Sequence, residues 1–290
     1  MFVHLRLHTE FSVVDGTNRI DAVVRLAAQD GQPALAVTDL SNLFGAVKFY
    51  KKARACGVKP LIGAEVWLEN AIPGVASRVV LLVQNHTGFT NLSKLLTTAW
   101  VQNTGKAQAS IGLAELAACN EGLILLSGAQ AGPVGQALLQ GDSARAEELA
   151  AQLSALFAQR FYLELQRANR PDDEAHIHAA VQLAARRGLP VVATHPVQFG
   201  APEDYEAHEA RVCIAEGEIL GDPKRVRRFT REQYFKSAAQ MQQLFADLPA
   251  ALANTVEIAK RCNLTLPLGK AQLPNFPTPP VQGQQLSPEA

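Results

Sequence analysis

Cysteine is scarce and scattered. The four thiols, Cys56, Cys119, Cys213 and Cys262, form no C-x-x-C pair, so reduced cytosolic thiols are expected. Long apolar runs are missing too. None reaches the ~18 residues that suggest a membrane span, and the amino terminus lacks the basic-then-apolar pattern of a secretory leader. Charge of one sign is not in excess: 27 Lys and Arg face 27 Asp and Glu. Binding nucleic acid over the whole surface needs a basic balance, which is absent here, although a local basic patch remains compatible. No G-x-G-x-x-G or P-loop follows an apolar run, which argues against the common nucleotide-binding turns. These absences predict a soluble, cytoplasmic protein with no membrane partner.

What is present is a rhythm. The runs 2–7, 33–38, 59–68, 78–85, 122–127, 160–165 and 189–194 are rich in Leu or β-branched residues and bounded by Gly, Pro or polar residues, as strands are. Their continuous apolarity suits a sheet covered on both faces. Helical patterns lie between them. Residues 19–31 place Ile20, Val23, Val24 and Ala27 on one face and stop at Gly31; 43–57 stop at Gly57; 172–188 begin acidic and end on Arg186, Arg187 and Gly188, matching the helix dipole. Seven strand–helix repeats predict an α/β fold of the (β/α) barrel kind rather than an open doubly wound sheet.

Beyond residue 200 the pattern changes. Segments 203–217 and 248–263 read as helices, with the basic run Lys224, Arg225, Arg227 and Arg228 between them. That run suits a solvated turn at least as well as a phosphate contact. Residues 273–290 are rich in Pro, Gln and Gly and have no periodicity. Three parts are therefore expected: a barrel core over 1–200, a helical extension over 201–270, and a linker over 271–290 toward further chain.

In α/β barrels, chemistry gathers at the carboxyl ends of the strands. There the sequence places Arg6, His8 and Asp15, then Asp39, Glu65 and His195. Arg6 and His8 are one residue apart, so both side chains point to the same face of an extended strand. A multinuclear metal phosphoesterase draws His, Asp and Glu from many strand ends. The ligand types here could support one metal but are thin for two or three. A polar cleft knitted by hydrogen bonds and ion pairs is the better reading of the spacing alone. His176 and His178, two apart on a helix, do not share a face and read as surface residues.

Long ordered stretches carry a resemblance. "FVHLRLHTEFSVVDG", "GQPALAVTDLSNLFGAVKFYKKARACGVKPLIGAEV", "FYLELQR" and "LFADLPAALANTVEIAKRCNLTLPLGKAQLPNFPTP" closely resemble the polymerase-and-histidinol-phosphatase (PHP) domains of bacterial replicative DNA polymerase III alpha subunits. The resemblance implies a distorted seven-stranded (β/α) barrel. It also implies departures from the family's intact metal site. Arg6 stands where that site has the first His of His-x-His, Leu40 where it has the His of Thr-Asp-His, and Ala129 where it has a cysteine. Pro196 and Gln198 stand at the final Asp and His positions, and Arg78 replaces a further histidine. His8, Asp15 and Glu65 match. Leu, Ala and Pro have no ligating side-chain atom, and Arg stays protonated. A vestigial cleft of Arg6, His8, Asp15, Asp39, Glu65 and His195 is therefore expected, with no metal, no cofactor and no catalytic residue. Arg6 would take the electrostatic place of the metal, pairing with Asp15 and Glu65. His195 reads as a hydrogen-bonded loop residue.

By resemblance, the parent chain is a DNA-directed DNA polymerase, a nucleotidyltransferase of DNA replication. It would meet DNA and the other polymerase III holoenzyme subunits through its full length. The present residues are expected to form an inactive structural and docking module for the proofreading exonuclease subunit. The alternative is a residual metal-dependent phosphoesterase, a 3'-5' exonuclease or pyrophosphatase. A free-standing histidinol-phosphatase-like enzyme is the weaker third reading.

Overall fold

The computed structural model describes residues 1–72, 75–103 and 108–269, apart from the side chain of Asn70. The apolar runs become strands buried on both faces. All residues of β1 (Ala34–Val37), β5 (Leu123–Leu126) and β6 (Phe161–Gln166) are buried. The two-residue period of a strand divides these side chains between two layers. Leu35, Val37, Leu81, Leu123 and Leu125 join an outer layer with Val23, Phe49 and Leu92 of the surrounding helices. Ala36, Leu61, Val80, Leu82, Ile124, Leu126 and Tyr162 face inward with Val3 and Leu5. Ile258, on the helix Pro249–Arg261, and Cys262, which follows it, plug that interior.

The strands run in the order β1, β2 (Lys59–Ile72), β3 (Val75–Val83), β5, β6, β7 (Val191–Thr194), with the short β4 (Ser110–Ile111) beside β2. Residues 2–9 are extended and close the ring. His4 bridges Leu35 and Leu7 bridges Val197, both parallel, and His8 N donates to the Val197 carbonyl at 2.9 Å. The first apolar run thus serves as a stave held by isolated bridges, and the expected seventh member of the barrel is this segment rather than a regular strand.

One expectation is corrected. The repeats are not all strand–helix–strand. β2 and β3 pair antiparallel, Gly63 opposite Leu82 and Val66 opposite Val79, and β3 pairs antiparallel with β5. Only residues 73 and 74 separate β2 from β3, and a parallel return needs a crossover of a dozen residues or more. The remaining pairs along the path are parallel.

Helices α1 (Ile20–Gln29), α2 (Ala46–Ala55), α7 (Asp173–Arg187), α8 (Tyr205–Glu216) and α10 (Pro249–Arg261) fall inside the predicted segments. α1 buries Ile20, Val23, Val24 and Ala27. Gly188 ends α7 at φ +62°, a conformation glycine adopts without a Cβ penalty. Helices α3 (His86–Gln102), α4 (Leu113–Ala118), α5 (Pro133–Leu139), α6 (Ser143–Leu156) and α9 (Ala238–Leu244) complete the described set. His176, expected at the surface, is buried, while His178 is exposed. Residues 201–269 lie against the barrel: Met241, Phe245, Ala251 and Leu252 share a core with Phe2, Leu165 and Ala193. Residues 201–269 hold α8, α9 and α10, with an irregular stretch over 218–237 between α8 and α9. The linker expectation for 271–290 lies outside the described residues.

Candidate functional site

At the carboxyl ends of the strands the inward-facing layer turns polar. Glu164 lies two residues beyond Tyr162 on β6, and Thr194 two beyond Val192 on β7, so each continues the inward face of its strand. Glu65 of β2 joins them. Arg6 enters from the closing segment. Its guanidinium spans the two carboxylates: Nη2 pairs with Glu65 Oε1, and Nη1 lies 3.3 Å from Glu164 Oε1. Glu164 also accepts from Thr194 Oγ1 at 2.5 Å, Gln166 Nε2 at 2.7 Å and Gly128 N at 3.0 Å.

His8 sits between two carboxylates. Its Nδ1 bonds Asp15 Oδ1 at 2.8 Å, and its Nε2 approaches Glu65 Oε2 to 2.8 Å. The second approach is an ion-pair contact whose angles do not make an aligned hydrogen bond. Ser12 Oγ donates to Asp15 at 2.8 Å. Arg78 closes the group from outside, 3.6 Å from Asp15 and 3.8 Å from Glu65, with its guanidinium stacked 4.3 Å from the Trp67 ring centroid. Three cations, Arg6, His8 and Arg78, thus face three anions, Asp15, Glu65 and Glu164. All but Arg78 are at most 5% exposed, so the region read from sequence as a cleft is a sealed ion-pair network.

Burial alone would expel these charges, and the partners reverse that tendency. Burial works against a charged His8, yet the Asp15 carboxylate, and Glu65 after it, lift its pKa to about 10. Burial would raise Glu65, but Arg6 first, then Arg78 and His8, bring it down to about 2. Asp15 is likewise held below the ordinary carboxylate range, against burial, by His8 and Arg78.

Two of the expected residues stand apart. The Asp39 carboxylate accepts from Thr9 N at 2.6 Å and Thr9 Oγ1 at 2.8 Å, and burial raises its pKa. It ties the strand-one loop to the strand-two loop. His195 bonds the Glu232 carbonyl at 2.8 Å through Nε2 and lies beside His4, 6.4 Å between ring centroids. Glu164 was missed by reading only the strand ends; the available signal was a lone acid on the inward face of "FYLELQ".

These donors do not fit a multinuclear metal centre. Both His8 nitrogens face carboxylates, a guanidinium lies between Glu65 and Glu164, and among the described residues no group of three or more His, Cys, Asp or Glu is arranged to hold an ion.

A curled sheet closed by its first segment, with acids and a histidine at the strand ends, defines a class, and the comparisons agree with it. The model of the PHP domain matches residues 4–168, and the chain belongs to that family. It is 50% identical over 279 residues, 96% of its length, to DNA polymerase III subunit alpha of Pseudomonas fluorescens. It is 48% identical over 278 residues to the subunit of the same name from Escherichia coli K12. The chain spans 24% of the length of each of these relatives. Among solved structures, an amidohydrolase from Chromobacterium violaceum with bound sulfate and no metal aligns with a TM-score of 0.51 at 14% identity, covering 73% of this chain and 97% of that one. That likeness concerns the fold. No described helix is long and apolar enough to cross a membrane.

Proposed function

We propose that the chain serves a DNA polymerase III alpha subunit as a catalytically inactive structural and docking module, with the proofreading exonuclease subunit as its partner. The supporting observation is Arg6: its guanidinium bridges Glu65 and Glu164 where a metal-dependent phosphoesterase needs open ligands. Charge that a cation would otherwise neutralise is neutralised by side chains, so the strand ends stay locked without an ion. In this reading the barrel core over 1–200, the extension over 201–270 and a linker over 271–290 act together as one support for the polymerase parts of the longer protein.

The test is calorimetric titration of the chain with the exonuclease subunit, alongside metal analysis of protein purified without chelator. A saturable complex and sub-stoichiometric zinc and manganese are expected. Stoichiometric metal, lost together with a phosphatase or exonuclease activity on chelation, would instead establish the phosphoesterase. Absence of any complex would remove the docking role.

A further inference from the structure

The amino-terminal end of the barrel, opposite the ion-pair network, gathers donors that lack acceptors. Arg160 stands just before β6, and its Nη1 donates to the Asn120 carbonyl at 2.6 Å and to the Leu123 carbonyl, at the start of β5, at 2.8 Å. Arg261 is the last residue of α10, and its Nη1 donates to the Tyr162 hydroxyl oxygen on β6 at 2.7 Å. Lys59 is the first residue of β2. Its Nζ donates to the Ala259 carbonyl and to Asn263 Oδ1, each at 2.8 Å. Residues 259–263 thus cross the end of the barrel between a lysine on the β2 side and two arginines on the β6 side.

Acids do not answer these cations. Arg78, Arg145, Arg167, Arg170 and Arg225, also partly or wholly withdrawn from solvent, each meet a carboxylate. Arg160 and Arg261 meet only neutral oxygens among the described residues. Glu121 acts on Arg160 from beyond ion-pair distance, and Glu257 is taken by Lys260 at 2.7 Å. The two guanidiniums feel each other: burial first, and then the charge of Arg261, hold the Arg160 pKa below the usual arginine range. Burial pushes the neighbouring Cys262 thiol up to about 12, while Lys59 and Arg261 both pull it the other way.

Holding carbonyls at a helix end and a loop end accounts for Lys59 and for one nitrogen of Arg160. It leaves Nε and Nη2 of both arginines without an acceptor among the described residues. Tyr162 is in the same condition: its oxygen accepts from Arg261, so its own O–H proton is free to donate. A cluster of donors with two positive charges suits a tetrahedral oxyanion, which offers several acceptor oxygens and pairs with a guanidinium through two parallel N–H bonds. Each arginine is already anchored through Nη1, so the site is ordered before its ligand arrives and loses little entropy on binding.

We propose that Arg160, Arg261 and Tyr162 form a binding site for a phosphoryl oxyanion at the amino-terminal end of the barrel, with Lys59 adding attraction from the other side of Cys262. The experiment titrates orthophosphate, and then phenyl phosphate, into the 290-residue chain at constant ionic strength, with chloride as the reference. Calorimetry reads affinity and thermal melts read the Tm. Four variants, checked for folding by far-ultraviolet circular dichroism, accompany the parent: Arg160→Gln, Arg261→Lys, Tyr162→Phe and Arg231→Gln. Arg231 pairs with Glu206, away from this cluster. The parent should bind phosphate saturably, and its Tm should rise with phosphate concentration, as for any ligand of the folded state. Arg160→Gln and Arg261→Lys should each bind about tenfold or more weakly, the scale of a lost hydrogen bond to a charged group. Tyr162→Phe should weaken binding less, and Arg231→Gln should bind like the parent. Arg261→Lys keeps the charge and the Arg160 carbonyl contacts, so it decides the matter if Arg160→Gln fails to fold. Phenyl phosphate binding as tightly as orthophosphate, or more so, supports a phosphoryl group carried on a larger molecule; weaker binding supports the free ion. A Tm rise no larger in phosphate than in chloride overturns the site. So does phosphate affinity that is equal in the parent and in folded Arg261→Lys.

Discussion

Arg6→Met removes a cation from between two buried carboxylates. The neighbours decide the magnitude. Glu65 is fully buried and keeps Arg78 only at 3.8 Å, beside the His8 contact. Glu164, also fully buried, keeps only neutral donors: Thr194, Gln166 and the Gly128 amide. Leaving one member of a buried pair unmatched costs about 3–5 kcal/mol. For a chain of this size that is a fall in Tm of roughly 6–20 °C. Urea unfolding followed by tryptophan fluorescence and far-ultraviolet circular dichroism measures it, and the midpoint should fall with little change in slope. Adding Glu65→Gln to Arg6→Met should recover part of the loss, because two like charges no longer face each other. An Arg6→Met chain within about 1 kcal/mol of the parent, where surface changes usually fall, would falsify the role given to Arg6. So would further destabilisation on adding Glu65→Gln.

Stability should depend on pH in two limbs. The His8 contribution is complete below its ordinary pKa of 6.5 and is lost as pH rises toward about 10. The Glu65 contribution is complete above 4.5 and is lost as pH falls toward about 2. Urea midpoints across pH 3 to 10 should therefore be highest in the interval ~4.5–6.5, and His8→Gln should flatten the alkaline limb; an unchanged limb counts against the His8 pairing. Gly128→Ala should cost on the order of 2 kcal/mol or more, since Gly128 has φ +84° and a Cβ there would lie 1.8 Å from the Arg78 carbonyl oxygen. A neutral result in thermal melts contradicts that geometry. Millimolar manganese or zinc should leave the Tm unchanged, because an ion that binds the folded state must stabilise it; a rise of several degrees refutes the loss of the metal site.

Much of the molecule was legible in its sequence because burial has a period. The helices over 20–29, 46–55, 173–187, 205–216 and 249–261 follow from apolar spacing and glycine stops, and the strand runs follow from continuous apolarity. The family was legible in the ordered motifs of residues 2–16 and 31–66. The same motifs placed Arg6, His8, Asp15 and Glu65 close together at the strand ends.

Pairing direction and partner choice were not legible. Apolar runs look alike whether neighbours run parallel or antiparallel; the antiparallel β2–β3 pairing follows from the short two-residue link between the strands. Arg6 was expected between Asp15 and Glu65. The fold gives Asp15 to His8 and Arg78, and gives Arg6 to Glu65 and Glu164, which are 59 and 158 residues away in the chain. Asp39 and His195 carry suitable chemistry, but backbone partners at Thr9 and Glu232 claim them. His176 sits on a polar-looking helix yet turns inward. Local pattern determines which residues form strands, helices and strand-end loops, because those choices depend on neighbours within a few positions. Which charge meets which is decided by long-range closure of the barrel, where a buried ion must find whatever counter-ion the other strands deliver.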